Sequence, residues 1–375
     1  MNGLSERIKV LKKEIATDSY SMSIGELINI YSDHEIDIHP KFQRLFRWSS
    51  YQKTRFIESI MLNIPIPPIF VSQNENGIWD VVDGVQRLST IFQFVGRLKD
   101  ENDNLVEGLT LEGTKSIPEL EGICWESSND ASKSLPQDLK LDFKRAKIVV
   151  NIVKKESDAS AKYELFQRLN TGGSKLSEQE VRNCLMIMSN PDFYDFVYHL
   201  SNNDLFIKTT PLSNRMVEEQ YRMELLIRYL IAVNCDVSTA KRDFSDLAPF
   251  LDDKTLELCN SEHFDYEEQN KIFTMVLTTL SRLPDIQTED VFKKYTNKFS
   301  GAVLSSAFLT ITVGLANRIK SGLHIDGKEI ANKIKQMYAQ EAFVRYTANG
   351  IRAVDRYVNL IPFGEEYFNN EAENS

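Results

Sequence analysis

Asp83, Gly84, Gln86 and Arg87 fall within one short stretch, VVDGVQRLSTIFQFV, running from Val81 to Val95 at the mouth of a predicted helix. These residue types in this order suit the capture of an anion, above all a phosphate. Arg87 carries a planar fork that can hold two phosphate oxygens at once. A strand turning into a helix aims backbone N–H groups and the positive end of the helix dipole at one point. Gly84 lets another backbone or a phosphate approach closely. Gln86 can orient a water or a sugar hydroxyl. Asp83 can cap the helix, hold Arg87, or bind a cation such as Mg2+. The same letters also describe an ordinary strand-to-helix turn with a capping aspartate.

Two further stretches carry related chemistry. FQRLFRW (Phe42–Trp48) sets Arg44 and Arg47 beside aromatic residues just ahead of a predicted helix. LFQRLNTGGSKLSEQEVRN (Leu165–Asn183) contains Arg168, Asn170 and the pair Gly172-Gly173. A double glycine between helices can fold into a backbone nest for an anion. Ser177 with Glu180 reads as a capping box, so part of this stretch is helix punctuation. The plain alternatives are solvated charges for Arg44 and Arg47 and a simple turn for Gly172-Gly173.

The elements that must position these residues follow from periodicity. SYSMSIGELINIY has Ile24, Leu27, Ile28 and Tyr31 at helical spacing, so residues 1–30 read as one or two helices. EIDIHP alternates as a short strand. A helix is predicted from about Ser50 to Leu62, capped by Ser49 or Ser50 and stopped by prolines at 65, 67 and 68. IFVSQ and WDVVDG flank the turn signal NENG and read as a hairpin. Residues 100–140 are polar and loop-rich. AKIVVNIVKK is a strand with Ile148, Val150 and Ile152 on one face. Beyond it strand signals fade, and from Val217 to Tyr357 helical periodicity dominates. The expected architecture is α+β: a small mixed sheet with helices over 1–157, an all-helical region over 158–365, and a disordered tail over 366–375.

Composition bounds the rest. The chain has 375 residues, long enough for two domains, and a net charge of −10. That balance argues against a protein that only coats nucleic acid, although a local basic surface is compatible with it. The four cysteines and five histidines show no C-x-x-C or H-x-x-x-H spacing, which disfavours a zinc site or a disulfide framework. No apolar run approaches the roughly 20 residues of a membrane span, and the charged N-terminus is unlike a signal peptide. The expectation is a cytoplasmic protein with no membrane partner.

In combination, FQRLFRW, PIPPIFV, VVDGVQRLSTI and LFQRLNTGGSKLSEQEVRN resemble the N-terminal domain of GmrSD-type modification-dependent restriction enzymes, of the ParB/sulfiredoxin-like superfamily. The resemblance extends over about residues 20–235, since RMVEEQYRMELLIRYL also resembles the helix that follows in the family. It implies a ParB/sulfiredoxin-like fold and a front that binds, and in relatives hydrolyses, nucleoside triphosphates in defence against phage. Carried over, Asp83, Gln86 and Arg87 are the catalytic candidates. Arg44, Arg47, Gly84, Arg87, Arg168, Asn170, Gly172 and Gly173 are the nucleotide-binding candidates, expected to line one cleft. Val85 stands where many relatives have a first glutamine, which weakens the case for hydrolysis more than that for binding. Many relatives also carry an H-N-H-type nuclease domain, and no such constellation is legible here.

Three readings stay open at this point. The first is an NTP-binding sensor or regulator of a restriction or anti-phage system, with NTP of unspecified base, Mg2+ and a separate nuclease subunit as companions. In that reading the helical rear binds a partner, a second copy of the chain, or modified or phage DNA. The second is a non-catalytic DNA-binding or adaptor protein, with the same arginines contacting DNA phosphates. The third treats D-G-x-Q-R as a fold-specifying polar network that joins Asp83 to Arg87.

Overall fold

The structure is a computed structural model that describes residues 17–38, 48–74, 76–100, 102–154, 177–238 and 240–370. The chain divides into two compact units, Met1–Lys175 and Leu176–Ser375.

The first unit is built on a five-stranded mixed sheet of order β1-β5-β3-β4-β2. Its elements are β1 (Thr17–Ser23), α1 (Ile24–Ser32), β2 (Ile36–Asp37), α2 (Ser50–Met61), β3 (Ile69–Gln73), β4 (Trp79–Asp83), α3 (Val85–Phe94), α4 (Gln137–Arg145) and β5 (Lys147–Val153). The expected hairpin forms: β3 pairs antiparallel with β4, with a register shift between Phe70 and Val71. On its other side β3 pairs parallel with β5. As its alternation requires, β5 buries Ile148, Val150 and Ile152 and exposes Lys147 and Val149. The core adds Ile69, Val71 and Val81 from the sheet to Leu88, Ile91 and Phe92 from α3.

Residues 17–23 correct the sequence reading. They form an edge strand antiparallel to β5, with Tyr20 opposite Val150 and Met22 opposite Ile148. A long-range ladder makes this strand, so its few apolar letters gave no local signal. The helix after it begins at Ile24, where Ser23 Oγ accepts the Glu26 N–H. At α2 the cap is Ser49, in a reciprocal capping box with Gln52.

The loop-rich span from 95 to 136 is tied down by polar groups of α2. Buried Glu58 accepts the Thr114 hydroxyl at 2.5 Å and pairs with Arg55 at 2.6 Å. Thr54 Oγ accepts the Glu112 N–H at 3.1 Å. Trp125 packs edge-on against Phe94 and Phe143.

The second unit is helical. Its helices are α5 (Glu178–Ser189), α6 (Pro191–Ser201), α7 (Asp204–Thr209), α8 (Asn214–Glu218), α9 (Tyr221–Asn234), α10 (Ala240–Asp243), α11 (Leu247–Cys259), α12 (Tyr266–Ser281), α13 (Ser305–Lys320), α14 (Gly327–Met337), α15 (Glu341–Thr347) and α16 (Ala353–Asn369). One departure from the all-helical expectation is a hairpin of β6 (Lys293–Tyr295) and β7 (Phe299–Val303) between α12 and α13. A three-residue strand is too short to display a period.

Helix α13 is apolar almost all round and buries Phe308, Ile311, Val313 and Leu315. It crosses α16 at two glycines. A Cβ on Gly364 would stand 2.5 Å from the Thr310 carbonyl oxygen, and one on Gly314 would stand 2.5 Å from that of Gly364. Both obstacles are backbone, so neither can rotate away. Gly364→Ala is expected to cost about 1–3 kcal/mol by overpacking. Loss of helical circular dichroism on heating would report it; an unchanged melting temperature would mean that the crossing gives way easily.

Candidate functional site

The strand-to-helix turn is held by backbone first. Gly84 is the N-cap of α3, with φ 100° and ψ 11°, and no side chain caps this helix. A Cβ at Gly84 would lie 2.8 Å from Ile69 Cγ1. The glycine thus answers to a positive φ and to close packing against β3. The Leu88 N–H closes the first turn on the Gly84 carbonyl at 2.9 Å. As at any helix start, the N–H groups of the first turn have no acceptor within the helix.

Asp83 does not cap the helix; it holds Arg87. Its Oδ2 accepts from Arg87 Nη2 at 2.7 Å. Arg87 Nη1 donates to the carbonyls of Pro67 and, at 2.9 Å, Pro68. The Arg87 side chain keeps 11% of its surface exposed, against 45% for Asp83. Three of the five guanidinium donors are committed in this way, which leaves two for a ligand. Gln86 serves a third segment: its Oε1 accepts the Trp48 N–H at 3.0 Å. Its own carbonyl accepts the Thr90 hydroxyl at 2.6 Å. Trp48 packs edge-on against Phe56 of α2. Val85 is buried.

Three of the sequence words therefore meet at one point. The last residue of FQRLFRW, the prolines of PIPPIFV and the turn of VVDGVQRLSTI are joined through Gln86 and Arg87. The acceptors at Pro67 and Pro68 were invisible in the sequence, because a backbone carbonyl has no letter. Arg44, Arg47, Arg168, Asn170, Gly172 and Gly173 lie outside the described residues, and so does the expected shared cleft.

The described part of the fourth word has a structural role. Ser177 and Glu180 form the expected capping box of α5. Arg182, fully buried, donates from Nε to Asp252 Oδ1 at 2.9 Å and from Nη1 to Gln179 Oε1 at 2.5 Å. Gln179 Nε2 in turn donates to Asn183 Oδ1 at 2.7 Å.

Other chemistry is limited. Among the described residues no group of three or more His, Cys, Asp or Glu side chains could hold a metal ion. Half-exposed Asp83 is one carboxylate, so it fits Mg2+ only alongside ligand phosphates. All four cysteines are free, and burial pushes the thiols of Cys235 and Cys259 up to about 12, away from thiolate chemistry near neutrality. A cleft of about 450 Å³ opens at the C-terminal end of α3, lined by Tyr31, His34, Arg97, Lys99 and Asp103. It lies about 15 Å of helix rise from Gly84. Its charges are partly neutralised from within, Lys99 pairing with Asp103 at 2.8 Å. Among the described residues no helix is long and apolar enough to cross a membrane.

Residues 27–187 match the family model described as GmrSD restriction endonuclease, N-terminal domain. No curated protein and no solved structure matches the chain.

Proposed function

We propose, from the premise that residues 27–187 are a GmrSD-type N-terminal domain, that this protein of a restriction or defence system binds a nucleoside triphosphate at the start of α3. The phosphates would meet the first-turn N–H groups after Gly84 and the free edge of Arg87. One observation carries the reading. Gln86 and Arg87 knit Trp48, Pro67, Pro68 and Asp83 around a helix start that no side chain caps. An uncapped helix start suits an anion, because its first-turn N–H groups lack acceptors within the helix. Mg2+ would add charge neutralisation on the phosphates, held in part by Asp83. Hydrolysis is the finer proposal, with Gln86 as the group that orients water. A separate nuclease subunit is the partner proposed for this protein.

The structural-network reading has its own support in the three protein acceptors of Arg87. Thermal shift with each NTP, with and without Mg2+, separates the two. At a hundred times Kd a ligand stabilises by about 2.7 kcal/mol. Arg87→Lys keeps the charge and loses the fork, so it is expected to abolish the NTP-induced shift while the protein stays folded. If no NTP raises the wild-type melting temperature and Arg87→Lys only lowers it, the turn is a structural network and the nucleotide reading fails.

A further inference from the structure

Helix α4 and the start of β5 carry more cations than carboxylates. From Lys133 to Lys154 there are six cations and two carboxylates, in a chain of net charge −10. Lys154 pairs with Asp18, and Lys133 donates to the Glu121 carbonyl. The side chains of Lys140, Lys144, Arg145 and Lys147 make no ion pair or hydrogen bond among the described residues. Lys140 and Lys144 place their ammonium groups 5.6 and 5.8 Å from the centre of the Trp125 ring. One helical turn, about 6 Å, separates them along the axis. Arg145 and Lys147 continue the series across the bend into β5.

The support beneath is firm. Phe143 is the buried anchor of α4 and packs edge-on against Phe94 and Trp125. The carbonyl of Ala146, at the bend, accepts the Ile24 N–H at 2.9 Å. The rest of α4 faces solvent, with Leu139 and Leu141 about 40% exposed. Cations on a fixed backbone, two of them laid over an aromatic ring and none of the four in an ion pair among the described residues, make a local positive field in an acidic protein.

We infer that the α4–β5 bend is a contact surface for the phosphate backbone of duplex DNA, with Lys140, Lys144, Arg145 and Lys147 as its phosphate donors. It rests on the restriction-system reading for the choice of DNA over other polyanions. It is independent of the nucleotide site, because none of its four residues belongs to the Asp83–Arg87 turn or to the segments that Gln86 and Arg87 join. Contacts of this kind position a duplex without reading its sequence.

The test is fluorescence anisotropy of a short labelled duplex with the full chain across a salt series. A variant with all four residues changed to Ala is set against a control in which exposed Lys294, Lys298, Lys320 and Lys328 become Ala. Each phosphate contact contributes about −0.9 to the slope of log affinity on log salt, so the α4–β5 variant should lose about 3–4 from that slope. Between about 50 and 200 mM salt the wild type should then lose ~100-fold more affinity than this variant. The control should keep the wild-type slope. Absence of duplex binding by the wild type at low salt overturns the proposal, and so does an equal loss in the control. Binding to anionic vesicles but not to duplex overturns it in favour of a membrane surface. The NTP thermal shift, measured on the same α4–β5 variant, should be unchanged, so loss of one activity leaves the other readable.

Discussion

Asp252→Ala is expected to destabilise the helical unit by about 3–5 kcal/mol. Arg182 and Asp252 are both buried, and their side chains keep 0% and 5% of their surface exposed. Removing the carboxylate strands a guanidinium in a medium that solvates it poorly. Gln179 would remain as an acceptor, but a neutral amide cannot balance the charge. Arg182 is already under-satisfied, since its Nη2 is buried without a hydrogen-bond partner, and so is the neighbouring Asn183 Nδ2. The expected loss is therefore one of uncompensated charge, not of a favourable contact. That distinction can be measured. Arg182→Met combined with Asp252→Leu removes both charges and fills the space with apolar atoms. It should cost much less than Asp252→Ala alone. Urea denaturation followed by far-UV circular dichroism reads both variants. A double variant as unstable as Asp252→Ala would show that the site needs its polar geometry, and the charge argument would fall.

The letters around a candidate site do not show which way they turn. LSEQEVRN follows Arg168, Asn170 and Gly172-Gly173 in the same word, and only its Ser177 and Glu180 had a readable role, as a capping box. In the structure its polar letters turn inward: Gln179, Arg182 and Asn183 share one buried network on α5. Spacing alone favoured neither outcome. Positions three and four apart share a helix face, but nothing in the letters says whether that face meets solvent or Asp252, seventy residues on.

Elements with strong local signals were legible. The Ser49 cap and its helix, the β3–β4 hairpin, the alternation of β5 and the Ser177 capping box all follow from neighbours within a few residues. Strand β1 and the β6–β7 hairpin were not, because pairing creates them and their own sequences carry little periodic pattern. The turn at Asp83–Arg87 falls between these cases. Its residues and the kind of local geometry were readable. The partners were not: Arg87 reaches back 19 and 20 positions to carbonyls, and Gln86 reaches 38 positions back to a backbone N–H.

Gly84→Ala should destabilise the first unit by about 2–5 kcal/mol, from two additive causes. The first is conformational. At φ 100° an alanine sits outside the regions open to residues with a Cβ, at a cost of about 1–3 kcal/mol. The second is steric. The new methyl would stand 2.8 Å from Ile69 Cγ1 and 3.2 Å from its Cγ2, and Ile69 is a fully buried β-branched residue of β3 with little freedom to move. Overpacking of this kind costs about 1–3 kcal/mol. Alanine also lowers the entropy of the unfolded chain, which returns about 0.4–1 kcal/mol and keeps the total below the plain sum. The three tryptophans of the chain, Trp48, Trp79 and Trp125, all lie in the first unit, so tryptophan fluorescence during urea unfolding reports the change there. Ile69→Ala, made alone and in the Gly84→Ala background, separates the causes. Removing Cγ1 and Cγ2 takes away the obstruction, so Gly84→Ala should cost less in the Ile69→Ala background by the steric part and keep the conformational one. If Gly84→Ala unfolds at the wild-type urea midpoint, this turn relaxes without cost. Its glycine would then be free of the fold and open to a purely ligand-side explanation, namely the close approach of a phosphate to the start of α3.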